Sequence, residues 1–322
     1  MKKIAFANGI QLTMLRIGVS LVLLLKVIAE YPYLALMYTS QGVIHGEISR
    51  PLQAPNTISL PQLAEWLHIT NEVLFLQIIY IILFAAAILL MAGCFTRIAA
   101  AYCFMVTMLL FNGYNLLSFG FDGFVFTLLF YIALFPMGRF LSVDNILRPH
   151  RPAIAAKEVQ FYLRVLQIHL CIVYLAAGVS KLRGHEWLDG TAIWQAVNQP
   201  QFFTSATPYI LRVVSHWWAS AALTWITLAV EILFCALIWV PRFKLRFIVL
   251  TGAILMHLFI GVVMGLQLFA LIMVVFDVSA FGNIYIDMLY KHKNRFAWLK
   301  APLWVMKING GKGLQYKSAV QR

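Results

Sequence analysis

The stretch Phe161–Val197, FYLRVLQIHLCIVYLAAGVSKLRGHEWLDGTAIWQAV, decides the fold class and centres the chemistry. It opens as an apolar run long enough to cross a bilayer, which takes about 20 helical residues. It closes as a mixed polar and aromatic segment. At the junction stand Ser180, Lys181, Arg183, His185, Glu186 and Asp189. No other stretch sets so many proton-handling side chains against so long an apolar run.

The rest of the chain has the same character. It is 62% hydrophobic and 11% charged, where a soluble domain carries about 25% charge. No soluble globule could hide that much apolar surface, so lipid must be the solvent for most of it. Residues 247–276 run 30 positions without a charge. Such continuous runs, rather than alternation, exclude a barrel. Backbone groups in lipid must then pair within helices. The sequence therefore specifies an all-α, polytopic integral membrane bundle.

About eight spans follow from the apolar pattern: near 10–37, 73–93, 98–117, 123–138, 159–180 and 211–240, then two within 247–286. Gly261, Gly265 and Gln267 mark a tight hairpin between the last two. Thr39–Glu72, with Pro51, Pro55 and Pro61, is a loop whose LPQLAEWLH turn lies along the interface. Segment 181–210 is expected to hold an interfacial helix near 186–198, with Trp187, Ile193 and Trp194 facing lipid. Residues 1–287 form the membrane domain, and 288–322 a basic tail. The basic tip is followed by a run broken by Arg16 and Lys26, which reads as a retained first span rather than a removed signal.

The net charge of +13 is an orientation signal. Eighteen Lys and Arg fall at the N-terminus, Arg97, 139–157, 242–246 and the tail, against four (Arg50, Lys181, Arg183, Arg212) on the opposite side. This bias puts both termini in the cytoplasm of a multi-pass plasma-membrane protein. It places the Lys181 segment outside and removes the case for nucleic acid. Cys94, Cys103, Cys171 and Cys235 lie in apolar segments and read as packed thiols. No His/Cys/Asp cluster has metal spacing, so no metal site is expected. Catalytic loop motifs and transporter-like inverted repeats are likewise missing.

Lys181 stands one residue past a span, after Ala176-Ala177-Gly178. A lysine there either snorkels or is partly desolvated by aromatic neighbours and serves as a base or anion contact. The small residues before it would let another helix approach. His257 lies deep in span seven, where an ionisable group is a functional candidate by default. Glu231 is a deep carboxylate that could pair with Arg164 or His257, and Asp277 is another. Arg16 and Arg164, near span ends, would snorkel. His185 and Glu186 read as solvated.

The run YLAAGVSKLRGHEWLDGTAIWQAV resembles the signature of the HTTM family (horizontally transferred transmembrane domain), which includes the membrane half of vitamin K-dependent γ-glutamyl carboxylase. The family form YxxAGxxKLxxxWxxG falls on Tyr174, Ala177, Gly178, Lys181, Leu182, Trp187 and Gly190. Three further blocks are similar to family members. They are the opening span from Thr13, LLFYIALFPMGRFLSVDNILRP with its LSxD loop, and the His-bearing hairpin MHLFIGVVMGLQLFALIMVV.

The resemblance implies that Lys181 is a base, that His257 assists, and that Asn112 and Asn115 lie near a quinone site, with Tyr174, Trp187 and Glu231 lining the pocket. Ser180 departs from the second lysine of the carboxylase. Likeness to short bacterial members implies a role in maturing an exported, toxin-like peptide, with the precursor, a small partner subunit and the lipid bilayer as partners. The cofactor stays open, a quinone being implied by the resemblance alone. Rival readings are a quinone-linked redox or carboxylase-like enzyme and a non-enzymatic scaffold, immunity or export factor.

Overall fold

The computed structural model describes residues 2–43, 57–114, 117–150, 152 and 154–291. Asn115, the loop prolines Pro51 and Pro55, and the tail beyond 291 lie outside the described residues. The described chain is helical throughout: α1 (Lys2–Glu30), a 3-10 turn at Tyr31–Tyr33, α2 (Leu34–Tyr38), α3 (Leu60–Trp66), α4 (Glu72–Ala92), α5 (Thr96–Gly113), α6 (Gly120–Leu134), α7 (Val143–Leu147), α8 (Ala156–Lys181), α9 (His185–Leu188), α10 (Ala192–Val197), α11 (Thr207–Val214), α12 (Trp217–Leu237), α13 (Phe243–Val263), α14 (Gln267–Phe281) and α15 (Asn283–Lys291).

Among the described residues, six segments are long and apolar enough to cross a membrane: Gly9–Tyr38, α4, α5, α8, α12 and α13. At the expected fourth and eighth positions stand α6 and α14, of 15 residues each. At 1.5 Å per residue these reach about 22 Å, short of a ~30 Å hydrocarbon core. Both pack inside the bundle instead of standing alone. The central helix is α1, which contacts α4, α6, α8 and α14. Its buried Leu12, Leu15, Val19, Val22 and Leu23 recur at helical spacing and make one core-facing stripe. The hairpin turn between α13 and α14 falls at residues 264–266, as the glycines indicated.

Two segments differ from the sequence expectation. Span six is not continuous from 211. The amphipathic α11 stops at Val214, and α12 begins at Trp217. The single interfacial helix expected over 186–198 is broken into α9 and α10 by Gly190, whose φ is +82°. A side chain there would be strained. The Gly190 carbonyl instead turns to accept from Ser220 Oγ at 2.9 Å.

Arg16, expected to snorkel, is fully buried. Its guanidinium donates to the carbonyls of Leu90 (2.8 Å), Met91 (2.6 Å) and Leu141 (2.8 Å). The first two lie at the end of α4, where the Leu90 carbonyl also accepts from the Gly93 N–H at 3.0 Å, so α1 completes a cap that Gly93 begins. Gly93, at φ +73°, turns the chain beside it. A Cβ on Gly93 would meet Arg16 Nη1 at 2.5 Å.

The LSVD run, 141–144, completes this end. Asp144 accepts from the N–H groups of Phe95 and Thr96, each at 2.9 Å, and from Thr96 Oγ1 at 2.7 Å, capping α5. Burial works against its charge. The hydrogen bonds from Thr96 and Phe95, with Arg148 nearby, outweigh that and hold the carboxyl below its usual range.

Candidate functional site

Tyr174, Gly178 and Lys181 fall at i, i+4 and i+7 on α8 and share one face. Gly178 lets α12 come close: a Cβ there would sit 2.7 Å from Ile232 Cγ1 and 3.2 Å from the Ile232 nitrogen. That approach puts Glu231 opposite Lys181. Lys181 Nζ lies 2.8 Å from Glu231 Oε1, with side chains 26% and 7% exposed. The ring of Trp187 covers the ammonium at 5.1 Å, a cation–π distance. Trp187 therefore lies over Lys181, rather than facing lipid as expected. Glu231 pairs with neither Arg164 nor His257.

One turn-pair further in, a second polar group is buried. The Tyr174 hydroxyl lies 3.0 Å from both oxygens of Asp277 and 2.9 Å from His257 Nε2. Asp277 is fully buried, and His257 is 4% exposed. Phe234 stacks on Tyr174 at 4.2 Å, and Phe269 meets His257 edge-on at 5.6 Å. The phenol has one proton to give. With Asp277 ionised, Tyr174 donates to it and His257 Nε2–H donates to Tyr174. With Asp277 protonated, the direction reverses. Either way, one proton shift reorders all three groups.

Two buried atoms are left without a hydrogen-bond partner here: Glu231 Oε2 and His257 Nδ1. Lys181 is within Coulombic reach of His257, and Glu231 of Tyr174. Four helices, α8, α12, α13 and α14, thus bring five proton-handling side chains into one electrostatic neighbourhood. Such unpaired buried atoms occur elsewhere in the bundle too, at Arg16 Nε, Ser279 Oγ and Asn283 Oδ1.

The HTTM domain model matches residues 11–284 of this chain. The chain belongs to the HTTM family. It is similar to the uncharacterized protein YitO of Bacillus subtilis strain 168, 29% identical over 141 residues, which cover 42% of this chain and 44% of YitO. It is also similar to the sporulation-delaying protein SdpB of the same organism, 29% identical over 134 residues, or 40% of this chain and 41% of SdpB. The matches thus span less than half the length of either relative. No solved structure matches the chain significantly.

Five of the seven positions of the lysine-bearing run have a physical task. Tyr174 links His257 to Asp277, Gly178 admits α12, and Lys181 pairs with Glu231. Trp187 lies over the ammonium, and Gly190 seats its carbonyl on Ser220. Of the other residues singled out by sequence, Asn112 is placed elsewhere. Its Nδ2 donates to the Ile58 carbonyl at 3.0 Å, tying α5 to the segment before α3. His185 and Asp189 are exposed and pair with each other at 3.1 Å. Hydrogen bonds from the hydroxyl and N–H of Thr191 hold Asp189 below the usual carboxylate range. Arg164 lies exposed on the ring of Trp239.

Sequence reasoning missed a second buried cluster in this HTTM bundle. Lys26 Nζ bridges Glu30 Oε1 at 2.6 Å and Asp122 Oδ1 at 2.7 Å. Tyr80 donates to the other Glu30 oxygen at 2.8 Å, and the Phe119 N–H to the other Asp122 oxygen at 2.8 Å. Every charge here is satisfied, so the cluster reads as a tie between α1, α4 and α6. The signal was present. Lys26 and Glu30 stand four apart inside an apolar span, and Asp122 opens a short one.

The quinone implied by resemblance does not fit around Lys181. It would need a slot of ring width beside the ammonium, but Glu231 and Trp187 already flank that nitrogen. Cavities of about 370, 150 and 750 Å³ have no lining from Lys181, Glu231 or His257. No group of three or more His, Cys, Asp and Glu side chains among the described residues is arranged to hold a metal ion.

Proposed function

We propose that this chain is a multi-pass membrane protein that takes part in maturing an exported peptide, with Lys181 as the proton acceptor or anion contact at the mouth of the site. The observation that carries this reading is the Lys181–Glu231 pair, with the lysine partly exposed and the second carboxylate oxygen buried and unpaired. Likeness to a sporulation-delaying protein supports the peptide side of it.

The chemistry follows from placement. Glu231 Oε1, 2.8 Å from Lys181 Nζ, is the group placed to hold or take its proton, and the part of the ammonium left exposed is where an acidic group of a substrate would meet it. The Tyr174 network beneath it stores or returns the proton. No step runs through a quinone, for the reason of fit given above. The Lys/Arg bias supports a plasma-membrane setting with both termini in the cytoplasm and the Lys181 end outside. A precursor peptide and a small partner subunit would meet the protein there.

A second reading, a non-enzymatic holding or immunity protein, draws on the closed Lys181–Glu231 contact. One experiment separates the two. Cells lacking the gene are complemented with the wild type or with Lys181→Ala, and their exported peptides are compared by mass spectrometry. The proposal expects the precursor mass to persist with Lys181→Ala despite normal membrane insertion. Complete maturation by that variant would leave only the holding role.

A further inference from the structure

A stripe of α8 lies open on the outside of the bundle. Arg164, Ile168, Cys171 and Leu175 recur at helical spacing and, with Cys235 and Trp239, line a groove of about 370 Å³. From Arg164 to Leu175 it follows about 16 Å of helix. Its walls between Arg164 and Leu175 are apolar side chains and two cysteines. Such an apolar, open channel along the helix offers a bed for one hydrocarbon chain.

One end of the groove is charged. Arg164 is exposed, and its guanidinium carbon lies 4.6 Å from the centre of the Trp239 ring. No carboxylate among the described residues pairs with it. Arg164 is eight residues into α8, about 12 Å along it. Stacking on a ring uses the guanidinium face and leaves the edge N–H groups, which match phosphate oxygens in a two-pronged contact. Tryptophan and arginine together mark headgroup depth in a bilayer.

We propose that this groove binds an anionic glycerophospholipid, its phosphate on the edge of Arg164 and one acyl chain laid along Ile168 and Cys171 to Leu175. The apolar walls and the one cation among the lining residues, set at one end, point to that ligand. It stands apart from the Lys181 site and does not depend on the reading of that site.

The test is native mass spectrometry of the purified full-length protein, titrated with dioleoylphosphatidylglycerol or dioleoylphosphatidylcholine, which share acyl chains. The wild type should retain one phosphatidylglycerol at a lipid concentration at least five-fold lower than phosphatidylcholine. Arg164→Gln should erase that preference, and Arg164→Lys should restore part of it. Leu175→Trp, filling the far end, should weaken retention of both lipids. Glycerol phosphate without acyl chains should not compete, which separates a lipid from a free phosphate ester. Equal retention of the two lipids by the wild type would overturn the proposal. So would an unchanged preference in Arg164→Gln, or a photocrosslinker at Ile168 that captures protein instead of lipid.

Discussion

Lys181 Nζ and Glu231 Oε1 stand 2.8 Å apart across the α8–α12 contact, half-covered by the Trp187 ring. Removing one partner strands the other. Lys181→Met leaves a buried carboxylate and should lower stability by about 2 kcal/mol, less than for a fully buried pair because the lysine is partly exposed. The double variant Lys181→Met/Glu231→Leu should regain most of that loss in a thermal melt while staying inactive in peptide maturation. Recovery of both stability and maturation would show the pair to be scaffolding.

Gly178 is the hinge of that contact. Gly178→Val would drive a side chain into Ile232 and force α8 from α12, an overpacking loss of roughly 1–3 kcal/mol. Lys181 and Glu231 would part with it. The expected result is a folded, membrane-inserted protein with maturation activity as low as in Lys181→Ala. Wild-type activity in Gly178→Val would mean that the close approach is dispensable.

Arg16 should be the least replaceable residue at the other end. Arg16→Ala takes the guanidinium from three carbonyls, and only that of Leu90 keeps another donor, the Gly93 N–H. The expected loss is about 3 kcal/mol or more. Arg16→Lys should recover only a minor part, since one ammonium cannot reach three diverging acceptors as a planar fork does. A melting temperature equal to wild type for either variant would contradict this account.

Asp144 gives a pH signature. Its carboxyl is held below the ordinary 3.8 in the folded protein. The ionised form is therefore favoured by folding, and its contribution is complete above the unfolded value of about 4. It fades as pH falls through the depressed folded value. Asp144→Asn should melt below wild type at pH 7, and the gap should close as pH falls past that depressed value. A gap that persists unchanged in acid would mean that the cap acts through shape alone.

Lys26 tests the second cluster. Lys26→Met strands Glu30 and Asp122 in the bundle and should reduce stability by roughly 3–5 kcal/mol, visible as lost expression or a sharply lowered melt. Lys26→Met together with Glu30→Gln and Asp122→Asn should restore folding.

The bundle was legible in the sequence because lipid demands long uncharged helices, and composition alone carries that demand. The approach of a helix at Gly178 was legible too, since small residues before a lysine have few other uses. The partners were not. Glu231 and Lys181 are 50 positions apart, and nothing local links them. Trp187 looked lipid-facing because an amphipathic helix was drawn straight through Gly190. Its positive φ cannot be seen from residue type alone, as glycine adopts either sign. Arg16 looked like a snorkelling end residue, yet its acceptors are backbone carbonyls, and the residue types around them give no hint of that.

The reach of Arg16 also orders the making of the molecule. Its acceptors lie 74, 75 and 125 positions downstream, so the first helix must carry an unmatched cation until the chain has grown past Leu141. An N-terminal fragment ending before that point would hold the charge without its full set of acceptors. The opening helix therefore waits on segments made much later, out to the carbonyls of Ser279 and Ala280 that Gln11 bonds.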